Sequence, residues 1–231
     1  MIRGEGSPDR TGKKCMHRVH KKSDAAVILI KKGAAVMRLI GSVILMIFFV
    51  PCTAGAHPHI FIENTVRIVF DGTGMTGVRA RWVFDEMFSS TMIEGYDADK
   101  DGAFAPAEVE ELRKGAFANL KNYNYFTYIT IGKKAFDVVY VKDFQAGVKD
   151  HRIIYSFFIP CHVKAGAAPR NVTVAMYDET YYTDMLLVDY QSDHTAAPGT
   201  VTSSIKQVEN FNKTFYFGQI APVELIVTFK K

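Results

Sequence analysis

In Ile60–Phe70 the apolar residues Ile60, Ile62, Val66, Ile68 and Phe70 hold even positions, whereas His59, Glu63, Thr65 and Arg67 are polar and odd. A period of two over that length marks a strand with one buried face and one wet face. No other feature constrains the fold as strongly, because a helix would scatter these residues around its circumference. The turn residues Asp71-Gly72-Thr73-Gly74 follow. Val78, Ala80, Trp82 and Phe84 then alternate with Arg79 and Arg81, which predicts the returning strand of a hairpin.

The period next changes to that of a helix over residues 86–96 and, after a polar loop, over 106–122. In the second segment Val109, Leu112, Ala116, Phe117 and Leu120 recur at three-four spacing and form one apolar stripe. Strand patterns return at 125–131, 136–141, 153–159, 172–177, 185–190 and 223–229. Seven or eight strands with one helical pair inserted after the second predict a mainly β (α+β) domain. The expected architecture is an immunoglobulin-like β-sandwich with a helix-loop-helix insert at about residues 86–122.

Residues 1–56 have a different character. They carry ten Lys/Arg against three Asp/Glu and contain twelve uncharged residues at 39–50, then Pro51 and small residues ending in Ala54-Gly55-Ala56. Apolar core, helix breaker and A-x-A together predict a secretory signal peptide cut after Ala56, and hence an exported, periplasmic domain from 57 to 231. Twelve apolar residues are too few to cross a ~30 Å hydrocarbon layer. Met37-Arg38 would begin a conventional short signal, so residues 1–36 read as an over-extended gene start.

The whole chain has a formal charge of +4, but residues 57–231 hold 18 Lys/Arg and 21 Asp/Glu. The basicity therefore belongs to the leader, and no nucleic-acid partner is expected. Of the three cysteines, Cys15 and Cys52 lie in the leader, which leaves Cys161 with no disulfide partner.

The most specific motif is Asp97-Ala98-Asp99-Lys100-Asp101-Gly102, with Glu108 completing D-x-D-x-D-G-x5-E, the EF-hand calcium loop. Ca2+ prefers about seven oxygens. Asp97, Asp99 and Asp101 would each give a carboxylate oxygen, Ala103 its carbonyl and Glu108 two oxygens, with a water at Ala105, whose side chain has no oxygen. Gly102 permits the sharp turn. No second loop is present to form the opposed pair that sensors use, so a fixed structural calcium is expected.

A second signal lies at the expected new terminus, His57-Pro58-His59. The two imidazoles are two apart on a strand and face one side, with Glu63 farther along it. Cleavage would add the His57 amine as a third nitrogen. A chelate through deprotonated amides is closed because Pro58 has no N–H. A brace completed by His151, His162 or His194 stays open, and Zn2+, Ni2+, Co2+ or Cu2+ would suit such ligands.

Weaker features include the adjacent Cys161-His162, which fits a structural role. Asp178, Tyr181, Tyr182 and Asp184 fit a site wall or an aromatic strand edge equally well. Asp85-Glu86 is an acid-base pair only in the sense that any two carboxylates are. G-x-S-x-G, phosphate-loop, dinucleotide-binding and H-E-x-x-H motifs are all missing, so no enzyme is expected.

Taken in order, the signal peptide, His57-Pro58-His59, the segment Trp82-Val83-Phe84-Asp85-Glu86-Met87-Phe88-Ser89, the aspartate loop with Glu108, Tyr123-Asn124-Tyr125-Phe126-Thr127 and Tyr177-Asp178-Glu179-Thr180-Tyr181-Tyr182 resemble the DUF1007 family of bacterial exported proteins. Most of residues 57–190 take part in the resemblance, and the tail after Asp193 is left unmatched. Members of that family are often labelled as periplasmic components of ABC-type transport systems. The resemblance implies association with nickel, cobalt or zinc transport and with a membrane metal permease as partner. The expected function is thus exported, non-enzymatic metal handling with a structural calcium site. The alternatives are a histidine-brace copper carrier on a β-sandwich, and an adhesion or hydrolase module that uses calcium only for shape.

Overall fold

The computed structural model describes Met37 and residues 58–231, so the leader, His57 and the expected cut after Ala56 lie outside the described residues. The chain divides into two units, 1–55 and 56–231. Met37 is the one described residue of the first unit and is exposed. The second unit contains ten described strands: β1 Ile60–Phe70, β2 Gly74–Phe84, β3 Thr127–Ile131, β4 Lys134–Phe136, β5 Lys142–Lys149, β6 Arg152–Lys164, β7 Arg170–Met176, β8 Thr183–Asp193, β9 Thr202–Glu209 and β10 Val223–Lys230. Helices α1 Glu86–Tyr96 and α2 Pro106–Gly115, with a 3-10 segment Phe117–Phe126, are inserted between β2 and β3.

The strands form two five-stranded sheets, ordered β5-β6-β2-β1-β8 and β4-β3-β7-β10-β9, which makes a mainly β, sandwich-like fold. All pairings are antiparallel except β1 with β8, where Ile60 stands opposite Thr183. The even-numbered side chains of β1 turn inward as the alternation predicts, and Val66 and Ile68 meet Val78, Trp82, Phe157 and Ile159 in the core. Leu225, Val227 and Phe229 of β10 and Val172 and Val174 of β7 supply the second sheet's contribution. Asn64 breaks the apolar run yet is buried, its Nδ2 donating weakly to Met176 Sδ at 3.3 Å.

Helix α1 coincides with the helix expected over 86–96. Asp85 caps it, Oδ1 accepting from Phe88 N at 2.8 Å, while Oδ2 accepts from Phe61 N at 2.8 Å and ties the helix start to β1. Ser89, fully buried, accepts from Ile153 N through Oγ at 2.9 Å and so holds α1 to β6.

The second helix departs from expectation, because α2 stops at Gly115 and the chain tightens into the 3-10 segment rather than running to 122. A Cβ on Gly115 would lie 2.5 Å from Tyr96 Oη, so the helix end is pressed against α1. Three consecutive non-glycine residues, Asn124, Tyr125 and Phe126, then adopt φ of 53°, 50° and 51°, the left-handed region. Tyr177 N donates to Phe126 O at 3.0 Å and Thr127 Oγ1 to Tyr125 O at 2.8 Å, contacts that hold this turn in place.

The strand expected at 136–141 is also corrected: β4 covers Lys134–Phe136 only, and β5 begins at Lys142. Both β5 and β9 escape the periodicity because neither buries any side chain fully, so no apolar face stands out. No helix among the described residues is long and apolar enough to cross a membrane.

Candidate metal centre

The loop between α1 and α2 brings carboxylates together from three positions. Ligand oxygens of Asp97, Asp99 and Glu108 all lie within 4.8 Å of one another, and this is the one such group of metal-capable side chains among the described residues. Two oxygens bound to one Ca2+ at 2.3–2.6 Å stand at most about 5 Å apart, so the spacing fits that ion. Asp97 is buried, Asp99 exposed and Glu108 intermediate, which places the cluster at the surface with one anchored ligand.

Backbone amides set the orientation of these carboxylates. Asp97 accepts from Asp101 N at 3.2 Å and from Gly102 N at 2.9 Å, and Asp101 N is shared with Asp99 Oδ1 at 3.2 Å. Gly102, at φ 84°, makes the turn that a side chain would strain. Glu108 spans the loop, taking Ala98 N on Oε1 at 2.7 Å and Ala105 N on Oε2 at 2.8 Å. Ala105 offers no side-chain acceptor to α2, so the Glu108 half of the capping arrangement stands alone. A carboxylate has about four lone-pair sites, so two remain on Glu108 for a cation.

Crowding leaves its mark on Asp99. The Asp101 amide favours its charged form, but lost hydration and the negative charges of Asp101 and Glu108 outweigh that bond, so its pKa is raised. A cation would relieve this repulsion. Asp101 stands outside the close group and accepts from Ala103 N at 2.8 Å.

The histidines are dispersed. His59 is exposed just before β1, its ring 4.9 Å from that of Tyr182. Glu63, on the same strand face, is engaged by Arg152, whose Nη1 donates to Oε1 at 2.9 Å while its Nε donates to Phe84 O at 2.6 Å. His151 sits at φ 60° in the β5–β6 turn. His162 Nε2 lies 2.9 Å from Thr73 Oγ1. His194 stacks on Phe70 at 4.6 Å, with Nε2 2.8 Å from Ser203 Oγ.

Phe70 and Thr73 lie at the far end of β1, about 35 Å from His59 for eleven residues at ~3.3 Å each. Neither His162 nor His194 therefore shares an ion with His59. His151, just before β6, lies at the same end of the sheet as His59, with β2 between their strands.

Cys161 is buried and free, and burial pushes its thiol up to about 11, which leaves it a poor ligand at neutral pH. Sequence reading missed two features. Arg152 is the partner of Glu63, 89 residues away, and no local pattern announces it. Trp82 and Tyr155, which line an apolar cavity, read as ordinary inward strand positions.

The family model described as "Protein of unknown function (DUF1007)" matches residues 42–211. An "Uncharacterized 15.5 kDa protein in trpE 3'region" of Spirochaeta aurantia is 30% identical over 137 residues, covering 59% of this chain and 97% of that protein. An uncharacterized protein of Haemophilus influenzae is 27% identical over 133 residues, covering 56% of this chain and 62% of its own length.

Proposed function

The chain belongs to the DUF1007 family, and from that premise we propose that it is an exported, non-enzymatic metal-handling protein, an accessory to transition-metal uptake that carries a structural calcium. The observation that carries this reading is the approach of Asp97, Asp99 and Glu108 to within 4.8 Å in a loop of calcium-binding sequence. On this reading the sandwich is of immunoglobulin-like class and the α1-loop-α2 insert is EF-hand-like. Asp97, Asp99, Asp101, the Ala103 carbonyl and Glu108 would hold Ca2+ and fasten the two helices together.

The transition metal would be taken by His57 and His59, whose nitrogens suit nickel, cobalt, zinc or copper better than calcium. Exposure of His59 at the start of β1 supports a role in which a metal is received and passed to a membrane permease. Export by a cleaved leader would free the His57 amine as a further ligand.

The test is elemental analysis of the protein recovered from the periplasm of its native host, with N-terminal sequencing of the same sample. One equivalent of calcium together with nickel, cobalt or zinc, on a chain starting at His57, is the expected result. Copper alone at one equivalent would favour a copper carrier, and calcium alone would reduce the protein to a calcium-stabilised module.

A further inference from the structure

The inner face of the first sheet, the helical insert and the turn before β8 border a partly open cavity of about 390 Å³. Phe84, Phe88, Phe117 and Leu120 give it apolar walls, and the exposed Tyr123 and Tyr182 stand at its edge. Trp82 and Tyr155 are among the side chains that line it. Trp82 is 0% exposed and Tyr155 3%, and among the described residues neither Trp82 Nε1 nor Tyr155 Oη has a hydrogen-bond partner.

The two belong together, because Trp82 and Tyr155 are direct partners across the β2–β6 ladder, so their side chains leave the sheet side by side. Indole N–H is a donor only, and a phenol donates through its O–H. Burial, with a smaller contribution from Tyr96, pushes the Tyr155 pKa well above its ordinary value, so the hydroxyl keeps its proton. A buried donor without a partner costs free energy, and its presence calls for an explanation.

The charge of the site selects among ligands. None of the described residues lining the cavity is cationic, and the buried carboxylate of Asp178 lies in its wall. That carboxylate accepts from Thr180 N at 2.9 Å, Thr180 Oγ1 at 2.7 Å and Thr183 N at 3.1 Å, and a carboxylate in the wall disfavours an anionic ligand. Size narrows the choice further, since an apolar cavity of about 150 Å³ accepts benzene and this one has room for roughly two fused rings. Its wall includes Phe126, whose ring stacks on Trp82 and which is the last of the three left-handed residues, and backbone held in such regions clusters at ligand clamps.

We propose that this cavity binds an uncharged, largely apolar molecule of about two rings through a carbonyl-type oxygen that accepts from Tyr155 Oη, which the ligand reaches as the wall side chains give way. The site shares no residue with the carboxylate loop and meets the histidines only where Tyr182 lies beside His59, so it goes beyond the metal-handling function and is tested separately.

The probe is 2-decalone, a saturated two-ring ketone, titrated into the purified full chain with and without EGTA. Binding is followed by calorimetry and by the emission of Trp82, the single tryptophan of the chain. Saturable binding with a shift in Trp82 emission is expected in both conditions. Tyr155→Phe keeps the ring and removes one donor, so ketone affinity should fall roughly five- to tenfold while the ligand-free melting temperature stays equal or rises. Leu120→Phe should occupy the cavity and abolish binding. The decalin carboxylate of the same skeleton should bind more weakly than the ketone. No saturable binding to the wild type, unchanged affinity in Tyr155→Phe, or tighter binding of the carboxylate would each overturn the proposal.

Discussion

His59 and Tyr182 are joined twice: His59 N donates to Tyr182 O at 2.8 Å, and their rings lie 4.9 Å apart. This contact opens the parallel pairing of β1 with β8, the one parallel ladder among the described strands. The exposed histidine that is the candidate transition-metal ligand is thereby held by the backbone against an exposed tyrosine rather than hanging from a free end.

A His57→Ala/His59→Ala double variant should lose nickel, zinc and copper binding while its calcium-dependent stability persists. Binding by the wild-type protein should be weaker at pH 5.5 than at pH 7.5, because protons compete with the metal for the imidazole lone pair. Titration with each metal at pH 7.5 and at pH 5.5 checks both statements. Equal affinity of variant and wild type for all three metals would remove the terminus from the site.

Glu108→Gln should abolish most calcium-dependent thermal stabilisation, since the residue that spans the loop from Ala98 to Ala105 loses its charge. Saturation at 100 times the dissociation constant is worth about 2.7 kcal/mol in the wild type. Melting curves with calcium and with EGTA measure the difference, and coincident wild-type curves would leave the loop as an acidic turn.

Asp99→Asn should act in opposite directions with and without calcium. Its carboxyl pKa is raised in the folded chain, which means that neutralising it relieves repulsion from Asp101 and Glu108. In EGTA the variant should therefore melt no lower than the wild type, whereas calcium affinity should fall about tenfold as a charged ligand is lost. A variant that melts lower in EGTA would show that the hydrogen bond from Asp101 N outweighs the repulsion.

Asp71 behaves conversely. Hydrogen bonds from the Thr73 hydroxyl and amide, both at 2.7 Å, and from Gly74 N hold its pKa below the ordinary carboxylate value. The stability it contributes is complete above the unfolded pKa near 4 and is lost as pH falls through the lower folded value. Asp71→Ala should cost about 0.5–1 kcal/mol at pH 7, the low end for a partly exposed charged acceptor, and less at pH 3. Denaturant curves at the two pH values test this.

Gly77→Ala should be the most damaging of these changes. The added Cβ would stand 2.3 Å from Ile159 O and 2.5 Å from the Phe158 ring, and the carbonyl cannot rotate away without breaking the β2–β6 ladder. A loss of about 2–3 kcal/mol is expected, visible as an earlier denaturant midpoint.

What the sequence determined by itself is what short-range chemistry controls. Period two in β1 and the inward positions of β2 follow from local alternation. The bounds of α1 follow from a change of period, and the loop carboxylates follow from a motif whose ligands are at most eleven residues apart. The family resemblance also rested on short segments in order.

The remainder was decided by contacts between distant residues, which leave no periodic trace. Strands β5 and β9 bury no side chain fully and so leave no alternation to read. Helix α2 ends where Gly115 meets Tyr96, and an apolar stripe that continued past it could not signal that encounter. Glu63 looked like a ligand beside His59 until folding brought Arg152 to it across 89 residues. His162 and His194 are carried to the far end of β1 by strand order alone. Trp82 and Tyr155 become neighbours only because the β2–β6 register sets one opposite the other, 73 positions apart, and register depends on the assembled sheet.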